Sequence, residues 1–181
     1  MLNAIDTKLI SKKSIFLLMA LSVVFFITAC SASDSDKTKD NNHMAELNVF
    51  KSPTCGCCSK WMDHMNDSGF LTTSNDSQTL SLIKDKYGVP KNHRSCHTGV
   101  TEDGVVFEGH IPAKYIEQFL NQKPEGQLGL VVPGMPVGSP GMEYQDKFNP
   151  YTIMAFDKNG TLTPFAEVLS YEQQFESTSN E

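Results

Sequence analysis

An α/β fold, a mixed sheet flanked by helices, is predicted for this chain by three observations. Its candidate strands and helices run strand, helix, strand, helix, strand, strand, helix. A Cys-x-x-Cys pair falls where the first strand meets the first helix. The composition, 39% hydrophobic and 20% charged over 181 residues, suits one domain with a core and excludes a wholly disordered chain.

Glu46–Lys51 (ELNVFK) alternates polar and apolar residues and reads as the first strand. Ser52-Pro53-Thr54 breaks it. Ser59–Ser68 reads as a helix with Trp61, Met62 and Met65 spaced along one face, ended by Gly69. Phe70–Thr73 is a short second strand. Leu80, Leu82, Ile83 and Tyr87 mark a second amphipathic helix, stopped by Gly88-Val89-Pro90. Cys96–Thr101 and Val105–Gly109 flank Glu102-Asp103-Gly104, a hairpin signal. Pro112 then opens a helix carrying Ala113, Tyr115, Ile116, Phe119 and Leu120. That order is thioredoxin-like, and its strand-to-helix junctions are where such sheets place their chemistry.

Beyond Gln122 an extension is expected. Leu128–Val132 is a short strand, and Pro133–Gly141 (PGMPVGSPG) is a Gly/Pro/Met-rich loop too dense in turn residues for regular structure. Ile153–Phe156 and Thr161–Phe165 flank Asp157-Lys158-Asn159-Gly160, a second hairpin. The domain spans 44–169, and 170–181 reads as a polar tail.

Ahead of the domain, Lys8, Lys12 and Lys13 precede an apolar run from Ile15 to Ala29, the pattern of a secretory signal over 1–29. The run is about 15 residues, short of the ~20 that a spanning helix wants. It ends in Ile27-Thr28-Ala29-Cys30, which resembles a bacterial lipobox and implies cleavage before a lipidated Cys30. Residues 30–43 are polar and read as a flexible tether. Exported, lipid-anchored placement is therefore expected. Ser31, a non-Asp residue after the cysteine, favours the periplasmic face of the outer membrane if the source has two membranes.

Charge removes one function class. The net charge is −6, and residues 30–181 hold 12 Lys and Arg against 20 Asp and Glu. No basic patch is present to follow a phosphate backbone, so no nucleic-acid partner is expected.

The informative constellation is Cys55-Gly56-Cys57-Cys58, with Cys96-His97 opening the third strand. Amides at a helix N-terminus stabilise thiolate, so at least one of the three clustered thiols should be acidified. Three readings are open: structural disulfides, a thiol–disulfide oxidoreductase using Cys55 and Cys58, and a soft-metal site. Thiolate and thioether ligands select Cu(I), Zn(II) or iron–sulfur. Four thiolates at one helix end carry a charge that one monovalent ion hardly offsets, which favours several bridged Cu(I) ions. Zinc would strain three ligands within four residues. Met135 and Met142 bracket a loop that cannot form a helix face, so they read as thioethers held beside a metal. His97 and His110 are candidate ligands or proton handlers. Trp61, Met62, Met65, His64 and His93 read as structural, and His43-Met44 as the domain edge.

These blocks together, Cys55-Gly56-Cys57-Cys58 with Trp61, Gly88-Val89-Pro90, Ser95-Cys96-His97-Thr98, Glu108-Gly109-His110-Ile111-Pro112 and Pro133–Glu143, resemble the bacterial CopG-type copper-resistance proteins. The resemblance runs from about Leu47 to Phe165, and all four family cysteines have counterparts in Cys55, Cys57, Cys58 and Cys96. It implies an exported thioredoxin-like protein that binds copper through cysteines and serves copper tolerance. The expectation is a polynuclear Cu(I) site on Cys55, Cys57, Cys58 and Cys96, completed or shielded by Met135, Met142, His97 or His110, with copper redox activity a further option. The alternatives are a thioredoxin-like thiol–disulfide oxidoreductase working through Cys55 and Cys58 with a redox partner, and a chaperone handing Cu(I) to another protein.

Overall fold

A computed structural model describes residues 43–122 and 124–175. The segments expected to be a secretory signal and a lipidation site at Cys30, and all of the expected tether but His43, lie outside the described residues.

Among the described residues, strands and α-helices follow one another in the order β1 (Glu46–Lys51), α1 (Gly56–Asp67), β2 (Leu71–Asp76), α2 (Leu80–Lys86), β3 (His97–Thr101), β4 (Val106–Glu108), α3 (Ala113–Gln122), β5 (Gln127–Val131), β6 (Tyr151–Asp157) and β7 (Leu162–Val168). The strands form one sheet in the order β2-β1-β3-β4-β5-β6-β7. β1 runs parallel to β2 and antiparallel to β3, and β3 is antiparallel to β4. This is the thioredoxin-like half. The extension continues the same sheet: β5 joins parallel to β4 through the α3 crossover, and β6 and β7 add antiparallel. Pro164 sits in β7, the edge strand, where a missing N–H costs least.

Strand alternation sorts the core into two clusters. Phe107 and Leu130 face the larger one, with Leu47 and Val49 of β1, Trp61 and Met65 of α1, and Ile116 and Phe119 of α3. Val106 and Val131, of opposite parity, face the smaller one with Val89 and Phe156. Cys58, Trp61 and Met65 form the buried stripe of α1 at helical spacing. The structural reading of Trp61 holds: it is fully buried, and its Nε1 donates to the Ile111 carbonyl at 2.8 Å.

Several boundaries differ from the sequence expectation, the start of α1 and the end of β2 among them. α1 begins at Gly56, not Ser59, so Cys57 and Cys58 lie in its first turn and Cys55 in the N-cap position. None of the usual capping side chains marks this start, which is why sequence placed it late. β2 is also longer than Phe70–Thr73, because β1 templates it through Asp76. The first residues of the polar tail are packed as well. Glu172–Gln174 form one 3₁₀ turn, and buried Gln174 donates to the Gly138 carbonyl at 2.9 Å and accepts from the Tyr151 hydroxyl at 2.8 Å. No helix among the described residues is long and apolar enough to cross a membrane.

Candidate metal centre

Strand direction gathers the site. The C-terminal ends of β1, β4 and β5 and the N-terminal end of β3 meet at one edge of the sheet: Lys51 pairs with His97, Thr98 with Glu108, and Glu108 with Val131. The segments leaving those ends carry Cys55–Cys58, Cys96-His97, His110 and the Pro133–Met142 loop. Sequence predicted each piece separately, and topology brings them together.

Cys55 and Cys58 are joined by a disulfide, with Cα atoms 5.4 Å apart. Cys57 and Cys96 are free thiols. Cys57 Sγ lies 3.5 Å from Cys55 Sγ and 3.9 Å from Cys96 Sγ. All four sulfurs fall within 4.8 Å of one another, which makes them a group able to hold a metal ion. Cys96, His97 and His110 form a second such group that shares Cys96 with the first.

The histidines line the inner wall. His110 Nε2 is 3.1 Å from Cys96 Sγ, and its Nδ1 is 2.8 Å from the Pro140 carbonyl. His97 Nδ1 is 3.4 Å from the same sulfur. The His97 ring packs on Trp61 at 4.4 Å between centroids and meets His110 edge-on at 4.9 Å. Its Nε2 is buried and makes no hydrogen bond of good geometry among the described residues.

Burial sets the protonation states. It holds His97 well below the ordinary imidazole range, with His110 and Lys84 adding repulsion, and it lowers His110 against the opposing pull of the Pro140 carbonyl and Glu143. Both rings are therefore neutral near pH 7 and able to ligate. Burial first, and the Cys57 sulfur second, push the Cys96 thiol up to about 12. Cys96 lies off the α1 N-terminus in a buried position, outside the Cys55–Cys58 turn for which an acidified thiol is expected.

The methionine loop docks on the cysteine turn. Gly141 sits at φ +84°, and a Cβ there would come within 2.5 Å of the Cys57 carbonyl and 2.8 Å of the Trp61 amide nitrogen. Met142 follows directly, and its amide donates to Ser139 at 2.8 Å. At the other end Ser95 Oγ donates to the Gly134 carbonyl at 2.9 Å, next to Met135. The loop's backbone is thus tied to both cysteine segments, at positions adjoining Met135, which is exposed, and Met142, which is half-buried.

His64 is half-buried on α1, and its Nε2 accepts from the Ala113 amide at 3.0 Å, at the start of α3. That is a structural role. Sequence reading passed over a buried pair, Lys84 and Glu108, whose Nζ and Oε1 are 2.5 Å apart beneath Ser95 and Thr98. The isolated charge at the end of an apolar strand (Val105–Glu108) was the available signal.

The donor set fits a soft metal ion. Two thiols and two neutral imidazoles converge in the disulfide form, and reduction of Cys55–Cys58 would raise the sulfur count to four.

Comparison with known proteins agrees with this geometry. The family model described as "Protein of unknown function, DUF411" matches residues 93–142. No curated protein matches the chain. Two solved structures, "Copper resistance protein copG- Form 1" and "Form 2", are each 36% identical to it, with TM-scores of 0.65 and 0.63. They cover 70% and 69% of this chain, and 98% of each of theirs is matched. The chain therefore belongs to the CopG family of copper-resistance proteins.

Proposed function

We propose that the protein binds Cu(I) outside the cytoplasm as part of copper resistance, holding more than one ion on Cys55, Cys57, Cys58 and Cys96. The observation that carries this reading is the convergence of four sulfurs within 4.8 Å at one sheet edge, backed by two buried neutral imidazoles. Copper is cargo here. Thiolate sulfurs can bridge adjacent Cu(I) ions, and the amides of the first α1 turn offset their charge. His110 and His97 supply nitrogen donors at Cys96, and Met135 and Met142 complete or shield the open side. Cys30 is the site of lipid attachment, with the domain on the periplasmic face of the outer membrane in a double-membraned source.

Four-thiolate binding requires the Cys55–Cys58 disulfide to be reduced. That step consumes two electrons and two protons from a dithiol reductant, whose own sulfurs become a disulfide. The same disulfide favours a second reading, a thiol–disulfide oxidoreductase in which Cys55 and Cys58 cycle and Cys57 is dispensable. Handover of Cu(I) to a protein partner is a third outcome.

An anaerobic Cu(I) titration of the reduced soluble domain against a competing chelator tests the proposal, with free thiols counted before and after. Several tightly held ions with all four thiols protected together support copper handling. Loss of copper to the chelator while two thiols alone cycle as a disulfide supports the oxidoreductase.

A further inference from the structure

We propose that Glu108 is a positioning residue that holds Cys96 in register with the Cys55–Cys58 turn, and that Lys84 is present to neutralise it. This rests on the reading of Cys96 as a copper ligand.

Glu108 is fully buried, and both carboxylate oxygens are engaged. Oε1 accepts from the Ser95 amide and from Lys84 Nζ, each at 2.5 Å. Oε2 accepts from Thr98 Oγ1 at 2.7 Å, and Lys84 Nζ also donates to Thr98 Oγ1 at 2.9 Å. Ser95 immediately precedes Cys96, and Thr98 immediately follows His97. One carboxylate therefore brackets the Cys96-His97 dipeptide from both sides.

On the Ser95 side the grip falls where the sheet provides none. Thr98 stands opposite Glu108 in the β3–β4 ladder, but β3 begins only at His97. Ser95 lies outside the ladder, and its amide is held by the carboxylate. The chain turns at Gly109, φ +85°, where a Cβ would meet Ser95 Cβ at 3.0 Å. It then reaches His110, whose Nε2 touches Cys96 Sγ. Glu108 thus fixes Cys96 through Ser95 and stands two residues before the imidazole that faces it.

Stability alone is a poor explanation for the pair. Desolvating two charges is costly, and apolar residues of similar volume often serve a fold as well or better. Position is the better explanation. A metal centre needs its donors held by neighbours that are themselves locked, and loss of such neighbours typically weakens metal binding. Lys84 lets a carboxylate do this without adding net negative charge behind the thiolates.

Three variants test the proposal in the reduced, full-length protein: Lys84→Met/Glu108→Leu, Glu108→Asp and Glu108→Gln. The readouts are Cu(I) affinity by chelator competition, residue-resolved alkylation of the copper-loaded protein, and the near-ultraviolet thiolate-to-copper bands. In the wild type, copper must protect Cys96 from alkylation; failure there overturns the copper reading itself. Given that protection, the double variant keeps its fold but binds copper about tenfold more weakly or worse, and Cys96 becomes reactive while Cys55, Cys57 and Cys58 stay protected. Glu108→Asp keeps the charge but falls one methylene short, and behaves like the double variant. Glu108→Gln keeps an acceptor for Ser95 and keeps copper affinity and Cys96 protection close to the wild type, although the unpaired Lys84 lowers its unfolding stability. Should the double variant fail to fold, the Asp and Gln variants decide between them. Wild-type affinity, bands and Cys96 protection in Glu108→Asp would overturn the proposal. So would a loss in Glu108→Gln as large as that in Glu108→Asp, since charge rather than reach would then be the cause.

Discussion

Cys96 and His110 face one another, sulfur to Nε2, at 3.1 Å. The far side of the ring explains the contact. His110 Nδ1 lies 2.8 Å from the Pro140 carbonyl, which can only accept, so Nδ1 carries the proton. In the neutral ring Nε2 then presents its lone pair to Cys96, and the thiol donates to it. A soft metal ion that displaces this one proton finds a thiolate and an imidazole already aimed at it.

The thiols should react unequally. With Cys96 pushed up to about 12, its thiolate fraction at neutral pH is about 10³-fold below that of an ordinary cysteine. Iodoacetamide should therefore modify Cys96 of the copper-free, disulfide form very slowly. Cys57→Ser removes the sulfur 3.9 Å away and should speed that reaction several-fold. Equal rates in the two proteins would show that Cys57 does not set the state of Cys96.

Copper-free stability should fall in mild acid. His64, His97 and His110 are all lowered in the folded state, each chiefly by burial. The unfolded chain, with imidazoles near 6.5, takes up protons first as pH drops. The stabilisation is full above about 6.5 and is lost below it, down through the folded values. Urea unfolding from pH 7.5 to 5 should show the decline. His64→Gln keeps an acceptor for the Ala113 amide without titrating, and should flatten part of it. A stability that is level or rises over this range would contradict these states.

Gly141→Ala tests the docking of the methionine loop. The added Cβ has no room against the Cys57 carbonyl and sits at a positive φ, so the loop must lift or the turn must shift. The expected cost is about 2 kcal/mol or more in unfolding free energy, with weaker Cu(I) binding. Unchanged stability and affinity would show that the loop does not need this contact.

Gln174 gives the tail a measurable role. Its amide satisfies the Gly138 carbonyl within the loop and the Tyr151 hydroxyl of β6. Gln174→Ala should cost about 1–3 kcal/mol, read by denaturant unfolding, because two buried polar groups lose a partner. A neutral result would return this segment to a dispensable tail.

The parts that local pattern controls were legible in the sequence. Val49 and Phe50 in an alternating segment, Trp61 and Met65 on one stripe, and Asp157–Gly160 between two apolar runs each carried their own structure. The four cysteines and two histidines were legible as a set because their chemistry is rare. What escaped depends on distant partners. The carboxylate of Glu108 is held by residues 10 to 24 positions away, and Gln174 reaches back 36 residues to Gly138. No short-range periodicity encodes such contacts. The start of α1 was missed for a different reason: its N-cap is Cys55, which makes no side-chain cap.

Polynuclear Cu(I) binding by cysteine sulfur is tested most directly by X-ray absorption at the copper edge of the reduced, copper-loaded protein. The predicted spectrum is that of Cu(I) with a first shell dominated by sulfur and a second shell of neighbouring copper. Nitrogen or oxygen scattering alone, with no sulfur and no copper neighbour, would contradict the four-cysteine site.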